Sequence, residues 1–92
     1  MADIIDLTLL TDVRRYLQKL LETRGLSYFL QKEGNRLFQI EPSKVELVIR
    51  TALRKRPPGA PRPPEQAVDH CRMEVRRELI RRVASAMLQT GL

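Results

Sequence analysis

The chain has 92 residues, a formal net charge of +6 and a pI near 10.2, with 42% hydrophobic and 30% charged residues. That suits one domain over residues 1–92 and is too apolar for disorder throughout. No apolar run exceeds about four residues, which excludes a membrane-spanning helix; Asp3 and Asp6 stand where a secretory signal would be basic, and the single cysteine, Cys71, excludes a disulfide framework and fits a reducing, cytoplasmic setting.

Residues 7–24 are expected to form an amphipathic helix. Leu10, Val13, Leu17 and Leu20 recur at i, i+3, i+7 and i+10, and Leu9, Tyr16 and Leu21 widen the stripe. Asp6 or Thr8 suits its N-cap, and Arg24 followed by Gly25 suits its end. Residues 26–40 admit two readings. Residues 27–31 and 36–40 are short, aromatic and β-branched, with turn material at 32–35, so a β-hairpin with a four-residue loop is expected. The rival is a short helix over 26–33 closed by Gly34. Two strands alone are marginal and must pack on a helix.

Residues 43–56 are expected to form a second helix. Ser43 and Glu46 have the spacing of a capping box after Pro42, and Val45, Val48, Ile49, Ala52 and Leu53 form an unbroken stripe. Arg54, Lys55 and Arg56 fill its last turn before Pro57-Pro58. Residues 57–64 hold five of the six prolines and are expected to be a stiff, extended linker. Residues 64–90 then form one long helix, with Gly91-Leu92 as its cap. The fold class expected is mainly α with a small hairpin: helix, hairpin, helix, Pro-rich linker, long C-terminal helix. Its core draws on Leu10, Val13, Leu17, Leu20, Phe29, Phe38, Val45, Val48, Ile49, Leu53, Val75, Leu79 and Val83.

The long helix carries two apolar stripes. Val68, Val75, Leu79, Val83 and Ala86 make one; Met73, Ile80, Ala84 and Met87 make the other. The first can pack on the preceding helices. The second then needs other cover, and a second copy of the chain is the simplest, so a homodimer is expected. The expected oligomer or partner interface is Arg72, Met73, Arg76, Ile80, Ala84 and Met87. Within it Asp69 stands three residues before Arg72, where the two can pair. Glu74 with Arg77, and Glu78 with Arg81 and Arg82, read as a solvated face.

No catalytic or metal motif stands out. Asp69, His70 and Cys71 are adjacent, but successive helical residues diverge by about 100° and do not converge on a substrate. No second His or Cys exists to complete a zinc site. Neither an enzyme nor a cofactor is expected. Lys55 to Pro61 contains a basic residue ahead of a P-x-x-P spacing, a short pattern read here as linker.

Charge is the most informative feature. Residues 1–46 hold seven acids and seven bases, whereas residues 47–92 hold ten bases and four acids. Thirteen of the 17 basic residues are arginine, whose planar fork grips phosphate or carboxylate. Arg50, Arg54, Lys55, Arg56 and Arg62 run without an intervening acid, and Arg77 and Arg81 can extend them in a dimer. Two functions follow as expectations. The first is a basic, non-enzymatic accessory or regulatory protein contacting nucleic-acid phosphates through these seven residues. The second is an adaptor or small inhibitor docking on a protein partner with an acidic surface through the long helix.

Overall fold

A computed structural model of the chain describes residues 5–34 and 36–89, and the side-chain surroundings of these except at residues 33 and 36–38. The element order is α1 (Leu7–Arg24), a 3-10 turn (Leu26–Phe29), β1 (Leu30–Glu33), β2 (Arg36–Ile40), α2 (Pro42–Arg54) and α3 (Glu65–Gln89). This is a mainly helical fold with one small antiparallel hairpin, as the periodicities imply.

Helix α1 starts and stops on the residues expected. Asp6 is its N-cap, accepting the Leu9 N–H at 2.9 Å. Gly25 closes it with φ 82° while its N–H donates to the Leu21 carbonyl at 3.0 Å, a conformation that only glycine adopts without strain.

The segment after α1 combines both readings of residues 26–33. A 3-10 turn over Leu26–Phe29 rotates Phe29 fully into the core, and the strand begins only at Leu30. The hairpin is also tighter than expected. Glu33 pairs with Arg36, so two residues connect the strands instead of four, and Gly34 takes φ 62° at the bend. The register shifts after Gln31↔Gln39 to Lys32↔Leu37, which leaves Phe38 as the extra residue of a β-bulge.

Helix α2 departs from its expected cap. Glu41 is the N-cap and Pro42 opens the helix, where its missing N–H costs nothing. Ser43 Oγ donates to Glu41 Oε1 at 2.5 Å, so the Ser43–Glu46 capping box does not form. Glu46 instead accepts from Arg72 on α3, a charged donor that outweighs a backbone N–H. The helix ends at Arg54, which frees Arg56 from the helical path.

The proline segment is not an extended rod. The Ala60 N–H donates to the Pro57 carbonyl at 3.1 Å, and Gly59 has φ 85°. Pro58 and Gly59 thus occupy the central positions of a type II turn, as their chemistry favours. A polyproline II helix has no such bond, so the P-x-x-P spacing is not displayed in its ligand conformation. Pro63 is buried, and α3 starts one residue later than expected, its first N–H groups at Ala67 and Val68 reaching the Pro64 carbonyl. The expected cap at Gly91-Leu92 lies outside the described residues.

The three helices share one core. Leu9, Val13 and Leu17 of α1 meet Val45, Val48, Ile49 and Ala52 of α2 and Val68, Cys71, Val75 and Leu79 of α3, with Phe29 beneath them. Leu20 and Leu53 pack at its edge. Val83, expected inside, is only half-buried, and the Phe38 side chain lies outside those described. Arg14 reaches Glu74 and Gln18 reaches Arg82, so α1 and α3 run the same way. Glu46 meets Arg72 on the antiparallel pair α2–α3. The Cα radius of gyration is 14.5 Å, against roughly 12 Å for a compact chain of this length, and the extents are 47 × 31 × 21 Å. The excess length comes from α3, about 37 Å long.

Asp6 holds two elements at once. Its second oxygen accepts from Arg56 Nη1 at 3.1 Å, tying the start of α1 to the exit of α2. The Leu9 N–H first, and then Arg56, hold its carboxyl below the usual carboxylate range. The stability this provides is present above the ordinary carboxylate pKa of about 4 and is lost as pH falls through the depressed value. Asp6→Ala is expected to cost about 1–2 kcal/mol at pH 7 by losing the cap. Asp6→Asn keeps a capping oxygen but not the charge. Urea titrations from pH 7 to pH 2 are expected to show a shallower acid loss for Asp6→Asn than for the wild type.

Candidate interaction surfaces

The residues expected to touch phosphate divide into two groups. Arg50, Arg54, Lys55 and Arg62 are exposed. Arg50 and Arg54 stand one turn apart on the outer face of α2, opposite its buried Val45, Val48, Ile49 and Ala52 stripe. Arg50, Arg54 and Arg62 make no ion pair among the described residues. Lys55 holds its ammonium 5.2 Å from the centre of the Tyr16 ring. Arg56, Arg77 and Arg81 are committed within the chain. Arg56 is tucked against Asp6, and its Nε is buried with no hydrogen-bond partner among the described residues. Arg77 pairs with Glu74 at 3.0 Å, and Arg81 with Glu78 at 2.8 Å. Arg82 joins the same Glu78 at 3.0 Å.

These pairings show where the acids go. The sequence has no acid between Glu46 and Glu65, and the acids of α3 are taken up by arginines on its own surface or on α1. The outer face of α2 and the linker are therefore left with positive charge only. The α2 dipole accounts for Arg54 and Lys55 at its C-terminal end. It does not account for Arg50, a turn earlier, and the i, i+4 pair Arg50/Arg54 is mutually repulsive. The Lys55–Tyr16 contact joins the end of α2 to α1, with Lys19 one turn after Tyr16 in the sequence. Sequence reasoning missed this contact because only the packing of α1 on α2 makes it. Asp12, a turn before Tyr16, bounds the region.

The expected apolar interface also divides. Arg72 faces inward. It donates to Glu46 Oε1 at 2.6 Å and to Glu65 at 3.1 Å, and it pairs with Asp69. Glu46 above all holds its guanidinium charged, far above its ordinary pKa. Arg72 is thus a clasp between α2 and α3, and its Asp69 partner was foreseeable at i−3. Met73, Ile80 and Met87 are 58%, 60% and 51% exposed, and Ala84 and Arg76 are exposed beside them. Arg76, Ile80, Ala84 and Met87 line an open groove of about 570 Å³. Its other wall is Leu30 and Ile40 of the hairpin with Pro42 of α2. Met73 lies a turn or two before this groove. Nothing in the periodicity of the hairpin shows that its base faces α3.

Asp69, His70 and Cys71 point three ways. Asp69 goes to Arg72, His70 Nε2 lies 3.9 Å from Glu74, and Cys71 is in the core. Burial pushes the Cys71 thiol pKa up, away from the nucleophilic thiolate. No group of three metal-ligating side chains comes together among the described residues. No described helix is long and apolar enough to cross a membrane. The tyrosine rings carry cations: Lys44 at 4.2 Å and Arg24 at 5.8 Å on Tyr28, besides Lys55 on Tyr16. No protein-family model, curated protein or solved structure matches this chain.

Replacing Arg72 by Ala leaves Glu46, Glu65 and Asp69 facing one another without a cation. A loss of about 1–2 kcal/mol in unfolding free energy is expected, allowing for the partial exposure of the cluster. Chemical denaturation of the variant at low and high salt measures it, and added salt should narrow the gap.

Proposed function

We propose that the chain is a small, basic, non-enzymatic accessory protein that binds nucleic acid through phosphate contacts from Arg50, Arg54, Lys55 and Arg62. The observation that carries this reading is the absence of any acid on the outer face of α2 and its linker, in a chain where most arginines of α3 find a carboxylate. A surface of unpaired arginines on a helix gains free energy from a polyphosphate by releasing condensed counterions. Arg is suited to this because its fork meets two phosphate oxygens at once. Arg56, Arg77 and Arg81 do not belong to the contact set, since each would first have to leave a carboxylate.

Recognition of sequence is not part of the proposal. The basic face presents no Asn or Gln for bidentate contacts to adenine, and Tyr16 and Tyr28 lie beneath cations, where they form no stacking platform.

The test is a salt-dependent titration of labelled random-sequence duplex and single-stranded oligonucleotides. The double variant Arg50→Ala/Arg54→Ala is expected to bind all sequences about tenfold more weakly and to reduce the slope of log K against log salt by about two. Arg56→Ala serves as the contrast, expected to lower the melting temperature and leave the slope unchanged. An unchanged slope in the double variant, or no binding by the wild type even at low salt, overturns the reading.

A further inference from the structure

We infer that the groove between the base of the hairpin and the second half of α3 is a docking site for an acidic amphipathic helix of a protein partner. The surface is separate from the basic face of α2 and does not depend on it.

The groove exists because α3 outlasts its neighbours. The last fully buried residue of α3 is Leu79, and Pro42 at the start of α2 lines the groove beside Arg76 and Ile80. Beyond that point α2 has run out. Arg76, Ile80, Val83 and Met87 follow at i, i+4, i+7 and i+11, a straight stripe about 17 Å long. Leu30 and Ile40 are direct cross-strand partners, so they present their side chains on one face of the hairpin and supply the opposite apolar wall. Three turns of stripe facing a second wall match the apolar face of one more helix, whose anchors recur at i, i+3 or i+4, and i+7.

Charge selects the occupant. Among the described residues no acid lines the groove, and the one charged lining residue, Arg76, is exposed and has no carboxylate partner. Of the four arginines in residues 76–89, Arg77 is held by Glu74 and Arg81 and Arg82 by Glu78, so Arg76 is the charge the groove presents. A second copy laid along this stripe would set its own Arg76 there and bring no carboxylate, since the other stripe members are Ile80, Val83 and Met87, which disfavours the homodimer expected from the sequence. A basic segment is rejected for the same reason. A helix with an apolar stripe and flanking carboxylates meets both walls and pairs with Arg76.

The test uses the full chain and a fluorescein-labelled helical peptide of about 16 residues, with leucines at i, i+4, i+7 and i+11 and glutamates flanking them. Controls are the same peptide with lysine for glutamate and a scrambled acidic peptide. Anisotropy at physiological salt is expected to give a dissociation constant below about 100 μM for the acidic peptide and at least tenfold weaker binding for both controls. Ile80→Asp, at a residue 60% exposed, is expected to weaken the acidic peptide at least tenfold. Arg76→Glu gives a second reading that does not rest on the first variant folding well: it should weaken the acidic peptide and strengthen the lysine peptide. Arg50→Ala/Arg54→Ala should leave peptide binding unchanged. Equal binding of the lysine or scrambled peptide, indifference to both groove variants, or no binding up to about 1 mM overturns the inference. So does a wild-type dimer in sedimentation that Ile80→Asp dissolves, because the groove is then filled by a second copy.

Discussion

The 18 residues of α1 and 13 of α2 span about 27 and 20 Å, while the 25 of α3 span about 37 Å. Helices of unequal length packed on one core leave part of the longest uncovered. Here the burial of α3 ends at Leu79, and the ten residues after it keep their apolar stripe. The hairpin comes closest to filling the space, because α1 ends at Gly25 and α2 begins at Pro42, and the strands between must turn back under α3. It supplies a wall without closing the gap. The groove therefore follows from helix lengths, and it is shaped by where one glycine and one proline set the ends of two helices.

The distribution of carboxylates decides which arginines face solvent. Asp6 is taken by a helix N-terminus and by Arg56. Glu46, Glu65 and Asp69 converge on Arg72, and Glu74 and Glu78 hold Arg14, Arg77, Arg81 and Arg82. Each of these exposed pairs adds little stability on its own, about 0–1 kcal/mol. Their larger effect is to occupy six arginines wherever an acid lies within reach, so that the longest run of unpaired positive charge falls where the sequence has no acid to offer. That place is the stretch from Leu47 to Pro64.

Helix existence and the inward faces were legible in the sequence, because a 3.6-residue period is a local signal. Asp6 and Gly25 could be read for the same reason: a cap acts within three or four residues. The departures all involve a partner far away in the chain. Glu46 looks like a capping residue until Arg72, 26 positions later, is beside it. Arg56 looks like one more exposed cation until the turn at Pro57 and Ala60 leaves it against Asp6, 50 positions earlier. The 3-10 turn at Leu26–Phe29 answers to the demand of the core for Phe29, which outweighs the strand propensity of its neighbours. In the candidate sites, the exposed stripe of α3 and the acid-free run were readable, whereas the second wall at Leu30, Ile40 and Pro42 and the seating of Lys55 on Tyr16 arise only from packing.

The two candidate surfaces lie toward opposite ends of α2. Arg54 and Lys55 mark its C-terminal end and Pro42, in the groove wall, its first turn, about 18 Å away along the axis. That distance is roughly twice the screening length at physiological ionic strength, about 8 Å. Charge on a ligand at one end is therefore largely hidden from the other, and neither ligand needs the residues of its counterpart. A helix of 13 residues, tied to α3 through Arg72 and to α1 through Asp6–Arg56, lies between them. Under the two proposals a polyphosphate and an acidic helix would sit about two screening lengths apart, where their mutual repulsion is weak.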